Sequence, residues 1–132
     1  MARWEIKNVN IAGVAMAVPE HTVKTAEIDL FTQEEADIFD KTVGIKSRHI
    51  APDTMCASDM CQAAGEKLLE ELGWEKESIN ALIFESVTGD YRTPPTSCLL
   101  QYRMGLSEDC FCVDIPMGCC GCMYAITVAG NL

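Results

Sequence analysis

The tract from Cys110 to Leu132 constrains the fold of this chain more than any other, because Asp114 is its only charged residue. The tract begins as an apolar run rich in strand-forming side chains, and Pro116 and Gly118 then break that run. Small and apolar residues follow with the pattern of a helix over residues 119–132. A helix that is apolar around its whole circumference has to be buried on every side. We therefore interpret the chain as the front piece of a larger protein.

Apolar runs and amphipathic stretches alternate along the chain, which predicts an α/β fold with a mainly parallel sheet covered by helices. The predicted strands cover residues 9–18, 81–86 and 110–115. The predicted helices lie within residues 25–43, from Ser58 to residue 72, from about residue 96 to residue 104, and over residues 119–132. Gly44, Gly73 and Gly105 follow the first three helical stretches and mark their ends. A chain of 132 residues is expected to form a single domain over residues 1–132.

The turn between the last predicted strand and helix carries a candidate nucleophile. Cys119 is expected on the first turn of a helix that begins where a buried strand ends. Free backbone N–H groups and the positive end of the helix dipole favour a thiolate over a thiol at such a position. A thiolate is a good nucleophile near neutral pH. The alternative is a small core residue at a tight turn. The neighbouring Cys120 and Cys122 are interpreted as buried, inert thiols, with a redox or metal role as the alternative.

The eight cysteines do not indicate a disulfide framework. Residues 1–7 contain charges and no apolar segment of a signal peptide, and the chain is long enough to form a core without crosslinks. Most of the cysteines lie in apolar runs, where a reduced cysteine behaves as a small hydrophobic residue. We expect a reducing compartment, the cytoplasm.

A net charge of −10 disfavours nucleic acid and anionic membranes as partners, and no uninterrupted apolar run has the length of a membrane span.

Short motifs follow one another in a fixed order along nearly the whole chain. They are Val43-Gly44-Ile45 with Arg48, the helix end Leu72-Gly73, Ile79 with Leu82-Ile83, Thr93-Pro94 with Thr96, Cys98, Gln101 and Gly105, and the run from Phe111 to Ala125 with Val113-Asp114, Gly118-Cys119, Gly121 and Tyr124. In this order and spacing they resemble the β-ketoacyl-acyl-carrier-protein synthase III family of condensing enzymes. The last motif resembles the nucleophile turn of that family.

The resemblance implies a thiolase-like fold, in which two similar α/β halves form a layered αβαβα structure, usually as a homodimer. This chain matches only the N-terminal half. The family's cysteine at the position of Cys119 accepts an acyl group from a thioester, and decarboxylative condensation with a malonyl-carrier-protein follows. A histidine and an asparagine of the second half support that step, and His21 and His49 do not match those positions. The chain alone is therefore expected to be inactive in the complete reaction.

The resemblance also implies the small molecules and proteins that the complete enzyme meets. They are an acyl thioester of coenzyme A or of an acyl-carrier protein, the carrier protein itself and a second copy of the chain, with no tightly bound cofactor and no metal. The pathway would be fatty acid biosynthesis or a related one. Many family members clamp the adenine of coenzyme A with a Trp and an Arg, where this chain has Ile38 and Thr42. We therefore expect loading from a carrier protein, or a different mode of coenzyme A binding.

Two other functions are compatible with the sequence. The uncovered apolar helix and the missing histidine and asparagine also fit a catalytically inactive piece that associates with itself. Five thiols close together fit a metal-binding module, since zinc takes about four ligands; they are Cys110, Cys112, Cys119, Cys120 and Cys122. No histidine lies near them, which disfavours the metal site. Asp114 is expected to have a structural role.

Overall fold

The computed structural model describes residues 5–132, and they form two compact units. Unit 1 contains residues 5–17 and 56–132, and unit 2 contains residues 18–55. The expectation that no signal peptide is present drew on residues 1–7, of which residues 1–4 lie outside the described part. In the described part, no helix is long and apolar enough to cross a membrane. The expectation of a single domain over residues 1–132 stays a prediction.

Unit 2 consists of two short strands and a capped helix. β1 (Thr22–Lys24) and β2 (Ser47–His49) pair in antiparallel orientation. A 3₁₀ turn at Thr25–Glu27 and helix α1 (Gln33–Val43) connect them. Thr32 caps α1 by accepting a hydrogen bond from the Glu35 N–H, and the Glu35 carboxylate accepts one from the Thr32 N–H. The helix ends at Gly44, whose φ of 77° is left-handed, as the sequence predicted.

Unit 1 contains a parallel strand pair with helices around it. In chain order its elements are α2 (Ala57–Leu72), a 3₁₀ turn at Lys76–Ser78, β3 (Ala81–Glu85), α3 (Thr96–Met104), β4 (Phe111–Ile115) and α4 (Gly121–Asn131). β3 and β4 are parallel, with Ala81 opposite Phe111 and Glu85 opposite Ile115. Gly73 and Gly105 end α2 and α3 in left-handed conformations. These observations confirm the predicted parallel strands and helix ends.

The buried core of unit 1 lies between α3 and the strand pair. Met104, Leu106 and Cys110 are its buried members. The partly buried side chains packed against them are Leu69, Ile79, Leu82 and Cys112. Because both strands of a parallel pair end at the same edge, the loops that follow β3 and β4 emerge side by side. The Ser86 N–H donates to the Ile115 carbonyl at 3.3 Å and continues the pairing to that edge.

The predicted first strand is wrong. In the part of the chain that the structure describes, residues 9–18 form no strand, and Val14 and Met16 are 83% and 78% exposed. β-Branched side chains favour a strand only when a neighbouring strand and a packed face are available, and no neighbour pairs with this segment among residues 5–132. Residues 9–18 therefore have the composition of a strand, but no strand among residues 5–132 pairs with them.

The predicted cap of α2 is also wrong. The helix begins at Ala57, with Cys56 at the cap position, so that Ser58 lies inside the first turn. The Asp59 carboxylate accepts the Cys56 N–H at 2.8 Å and takes the capping role. Ser58 is completely buried, and its hydroxyl bonds to Asp90 instead. A serine beside a helix start has two possible roles, and here the tertiary contact decides between them.

Candidate functional site

Cys119 lies in the tight turn that joins β4 to α4. The Gly118 carbonyl accepts the Gly121 N–H at 2.7 Å, and the Cys120 carbonyl accepts the Met123 N–H at 3.1 Å. These two bonds close consecutive turns, so α4 begins at Gly121, with Cys120 as its cap residue. The sequence placed the start of this helix at Cys119, which is two residues too early. The predicted corner between strand and helix is present, and Cys119 is at its tip.

The thiol of Cys119 is exposed to solvent at this corner. Within residues 5–132, the N–H groups of Cys119 and Cys120 donate to no other protein group. Unpaired N–H groups at a helix start carry partial positive charge and point toward incoming acceptors. The turn therefore combines an accessible sulfur with free hydrogen-bond donors. That combination suits attack on a carbonyl carbon whose oxygen needs stabilisation.

Asp114 anchors the strand that leads into the turn. Its two carboxylate oxygens accept the N–H groups of Thr96 and Ser97 at 2.7 and 2.8 Å. These are the first two residues of α3, and the preceding Pro95 provides no side-chain cap. Asp114 thus caps α3 from the neighbouring strand, and its charge lies at the positive end of that helix. This contact is structural, as the sequence indicated for Asp114.

A second carboxylate holds the loop that follows β3. Asp90 accepts the Ser58 hydroxyl at 2.5 Å, and its own N–H donates to the Thr96 hydroxyl at 3.1 Å. Arg103 of α3 donates to the Ser58 hydroxyl at 2.9 Å and to Asp59 at 2.6 Å. Together these bonds tie the start of α2, the loop after β3 and helix α3 into one network. The network fixes the edge of the sheet from which the turn of Cys119 projects.

Glu85 is a charged residue directly beneath the start of α4. It ends β3, and a Cβ atom placed on Gly121 would come within 2.7 Å of Glu85 Cγ and closer still to the carboxylate. Gly121 is therefore required here for a close approach rather than for an unusual backbone angle. Glu85 and Cys122 line one cavity of about 750 Å³, whose other walls are mostly apolar side chains of α2, β3 and α3.

A smaller cavity of about 490 Å³ lies beside the turn. Pro116 forms one wall, and the loop after β3 forms the others, including Tyr91 and Arg92. Asp114 lines it as well. The cavity thus opens at the same edge of the sheet as the corner that carries Cys119.

Cys110 and Cys112 are less accessible than Cys119. Burial raises the pKa of the Cys112 thiol to about 12, and the neighbouring thiols of Cys110 and Cys98 raise it as well. Burial also raises the pKa of the Cys110 thiol. Cys120 and Cys122 are exposed, which differs from the buried state expected for them. All eight cysteines are free, and within residues 5–132 no group of three or more His, Cys, Asp or Glu side chains is placed to hold a metal ion.

The predicted departure from the family's coenzyme A clamp falls on α1. Ile38 is 54% exposed, and the Thr42 hydroxyl donates back to the Ile38 carbonyl at 2.8 Å. Neither position supplies an aromatic face or a cation. The two histidines lie in unit 2, where the His49 ring nitrogen Nδ1 bonds to the Pro19 carbonyl at 2.6 Å.

Some residues of the site were missed by sequence reasoning. The contacts of Asp90, Arg103 and Glu85 join positions far apart in the chain, and no local pattern marks them. The spacing of Cys119 and Cys122, with two residues between them, was visible in the sequence as a C-x-x-C pair. The structure places Cys119 in the turn before α4 and Cys122 in the first turn of that helix, and both residues are exposed.

Comparison with known proteins gives one consistent relationship. No family model matches the chain. It is 31% identical over 126 residues to a β-ketoacyl-acyl-carrier-protein synthase III of Ehrlichia canis, covering 96% of this chain and 39% of that protein. It is 31% identical over 127 residues to a putative 3-oxoacyl-acyl-carrier-protein synthase 3 of Campylobacter jejuni, covering 92% of this chain and 36% of that protein.

Comparison with solved structures gives the same relationship as the sequence comparison. A 3-oxoacyl-acyl-carrier-protein synthase of Burkholderia xenovorans superimposes with a TM-score of 0.85 at 38% identity, covering 92% of this chain and 35% of that one. An OleA variant of Xanthomonas campestris superimposes with a TM-score of 0.84 at 27% identity, covering 98% of this chain and 42% of that one.

The fold therefore matches part of the thiolase-like fold class to which these structures belong. Within that class the chain is homologous to the β-ketoacyl-acyl-carrier-protein synthases III. It spans 39% and 36% of the length of the two curated relatives named above.

Proposed function

We propose that this chain is the part of a condensing enzyme that carries the acyl-accepting nucleophile, and that Cys119 is this nucleophile. The observation that carries the proposal is an exposed thiol at the corner between a parallel strand and a helix. The relationship to β-ketoacyl-acyl-carrier-protein synthases III over nearly the whole chain supports it. Both point to acyl transfer as the reaction class.

The proposed first step is transfer of an acyl group between two sulfur atoms. The Cys119 thiolate attacks the carbonyl carbon of an acyl thioester, and the carbonyl oxygen becomes an oxyanion. Unpaired N–H groups of the turn are suited to stabilise that charge. The intermediate then collapses, the original carbon–sulfur bond breaks, and the donor leaves as a thiolate. Cys119 retains the acyl group as a new thioester.

The later steps are proposed for the complete protein. Decarboxylation of a malonyl-carrier-protein would provide the carbon nucleophile that attacks the Cys119 thioester and forms the new carbon–carbon bond. The histidine and asparagine for that step would come from sequence outside this chain. We further propose an acyl-carrier protein as partner, a homodimer as the assembly, and the cytoplasm as the compartment, which suits eight free cysteines.

Acylation of the 132-residue chain tests the nucleophile directly. Acyl-coenzyme A or an acyl-carrier-protein thioester is added, and the acylated residue is mapped by peptide mass spectrometry. We expect one acyl group on Cys119, removable by hydroxylamine, and none in Cys119→Ala. Cys120→Ala is the matched control, because it removes an adjacent exposed thiol and should remain fully acylated. An adduct confined to other cysteines would refute the assignment.

Alkylation by iodoacetamide at neutral pH provides a second test that needs no thioester. We expect Cys119 to react faster than the other seven thiols, because it is exposed and lies beside free N–H donors. Equal labelling of the exposed thiols would contradict the proposed activation of Cys119.

A second candidate function is self-association, and the surface of α4 favours it. Its exposed apolar side chains are Met123, Tyr124, Ile126 and Val128. Several exposed apolar side chains on one helix are typical of an interaction surface. Sedimentation velocity at increasing concentration tests this, with Met123→Lys as the variant expected to reduce association. A monomer of constant sedimentation coefficient over the whole concentration range would exclude it.

A further inference from the structure

The start of α4 carries two thiols in a geometry that suits a disulfide. Cys120 has helical angles (φ −87°, ψ −9°), and Gly121 and Cys122 continue in the helix. Cys119 precedes the helix, but the two residues between it and Cys122 have helical or near-helical backbone angles, which sets the Cα–Cα distance of residues 119 and 122 at about 5 Å. Disulfides typically bridge Cα atoms about 4.4–6.8 Å apart. No movement of the backbone is needed to bring these two residues within range.

Cys122, and not Cys120, is the matching partner for Cys119. Adjacent residues have Cα atoms about 3.8 Å apart, which is below the range that disulfides typically bridge, so Cys120 is a poor partner for Cys119. Cys120 and Cys122 are two positions apart, and side chains at that spacing do not face each other on a helix. All three thiols are exposed, whereas Cys110 is buried and Cys112 is half-buried with a raised pKa. Among the eight thiols, Cys119 and Cys122 combine access with suitable spacing.

We propose that Cys119 and Cys122 form a reversible redox pair that reacts with hydroperoxides. The Cys119 thiolate attacks one peroxide oxygen, an S–O bond forms, the O–O bond breaks, and water or an alcohol leaves after taking up a proton. The Cys122 sulfur then attacks the resulting sulfenic acid, the S–S bond forms, and water leaves. The two sulfurs lose two electrons in total, and the peroxide gains them. A dithiol reductant reverses the change.

The pair would regulate the site proposed above. A sulfur bonded in a disulfide is not a thiolate and cannot attack a thioester, so oxidation stops acylation at Cys119. It also protects this sulfur from irreversible oxidation to sulfinic and sulfonic acids. This regulatory consequence rests on the proposed acyl transfer, whereas formation of the disulfide does not.

The test uses the reduced 132-residue chain and hydrogen peroxide as the probe. After treatment, remaining thiols are alkylated in denaturant and the chain is cleaved at methionine with cyanogen bromide. Cleavage after Met117 and Met123 isolates residues 118–123, which contain only the thiols of Cys119, Cys120 and Cys122. We expect this fragment to carry one alkyl group and to lack the mass of two hydrogen atoms. Dithiothreitol treatment before alkylation should restore all three labels.

Three variants identify the bonded pair. Cys120→Ser is the matched control and should retain the disulfide with no free thiol in the fragment. Cys122→Ser should lose the disulfide and accumulate sulfinic or sulfonic acid at Cys119, and Cys119→Ser should lose it as well. A disulfide that persists in Cys122→Ser, or one that links two chains on a non-reducing gel, would overturn the proposal. Circular dichroism of each variant confirms that the fold is retained.

The two proposals fail in different ways. A disulfide that forms in a chain whose Cys119 accepts no acyl group would refute the proposed function and leave the redox pair standing. Conversely, if Cys119 is acylated but peroxide produces no disulfide between Cys119 and Cys122, the redox pair is refuted and the proposed function stands.

Discussion

The Asp114 carboxylate offers the sharpest test of how this fold is held together. It accepts two backbone N–H groups at the start of α3, at 2.7 and 2.8 Å, although it lies on β4, 18 and 17 positions further along the chain. A hydrogen bond to a charged group is worth about 1.5–3 kcal/mol. In Asp114→Asn the amide oxygen can still accept one N–H, but the amide nitrogen is a donor and faces the other. We therefore expect a loss of about 1.5–3 kcal/mol, equivalent to one such bond.

The assay is urea unfolding followed by far-ultraviolet circular dichroism. A loss of this size is a large fraction of the roughly 5–15 kcal/mol that stabilises a typical domain. The urea concentration at the unfolding midpoint should therefore fall clearly. Asp109→Asn is the control, since Asp109 is exposed and the substitution removes the same charge. Surface changes of that kind usually stay within about 0.5 kcal/mol. If both variants unfold at the same urea concentration, the Asp114 carboxylate does not cap α3.

Three further predictions concern other parts of the chain. Thr32→Ala removes the side-chain cap of α1 and should cost about 1 kcal/mol. The Thr32 N–H, and to a lesser degree its hydroxyl, lower the pKa of Glu35, so the wild type should lose stability as pH falls below about 4.5. The variant keeps the N–H and loses only the hydroxyl, so it should lose slightly less stability on acid titration. Gly121→Ala should be destabilising alone and relieved by Glu85→Ala, with a coupling of about 0.5–3 kcal/mol in a double-mutant cycle by urea unfolding. Since burial raises the pKa of Cys112 from 9.0 to about 12, the free energy of unfolding should fall as pH rises from about 9 toward 12, and Cys112→Val should flatten that fall.

The helix ends and the parallel strands were predictable because their signals are local. A glycine at Gly44, Gly73 or Gly105 supplies the left-handed residue that ends a helix, whatever packs around it. The apolar runs at β3 and β4 are likewise typical of strands covered on both faces. The corner at Cys119 followed from a strand pattern, a proline and a glycine in succession.

The features of the fold and site that could not be predicted depend on contacts that no local sequence pattern encodes. Ser58 resembles a helix cap, and only the position of Asp90 turns its hydroxyl inward. Arg103 reaches Ser58 across 45 positions of sequence. Residues 9–18 have the composition of a strand but pair with no strand in the described part of the chain. The start of α4 lies two residues later than predicted because the Gly118–Gly121 turn comes before the helix.

The direction of β4 has a practical consequence. Its five residues span about 13 Å, with the turn of Cys119 at one end and the exposed Glu108 just before the other. An affinity handle or surface tether attached at Glu108 would therefore be held a full strand length from the turn that carries Cys119. Immobilised there, the protein would present the edge that carries Cys119 to the solution, away from the support.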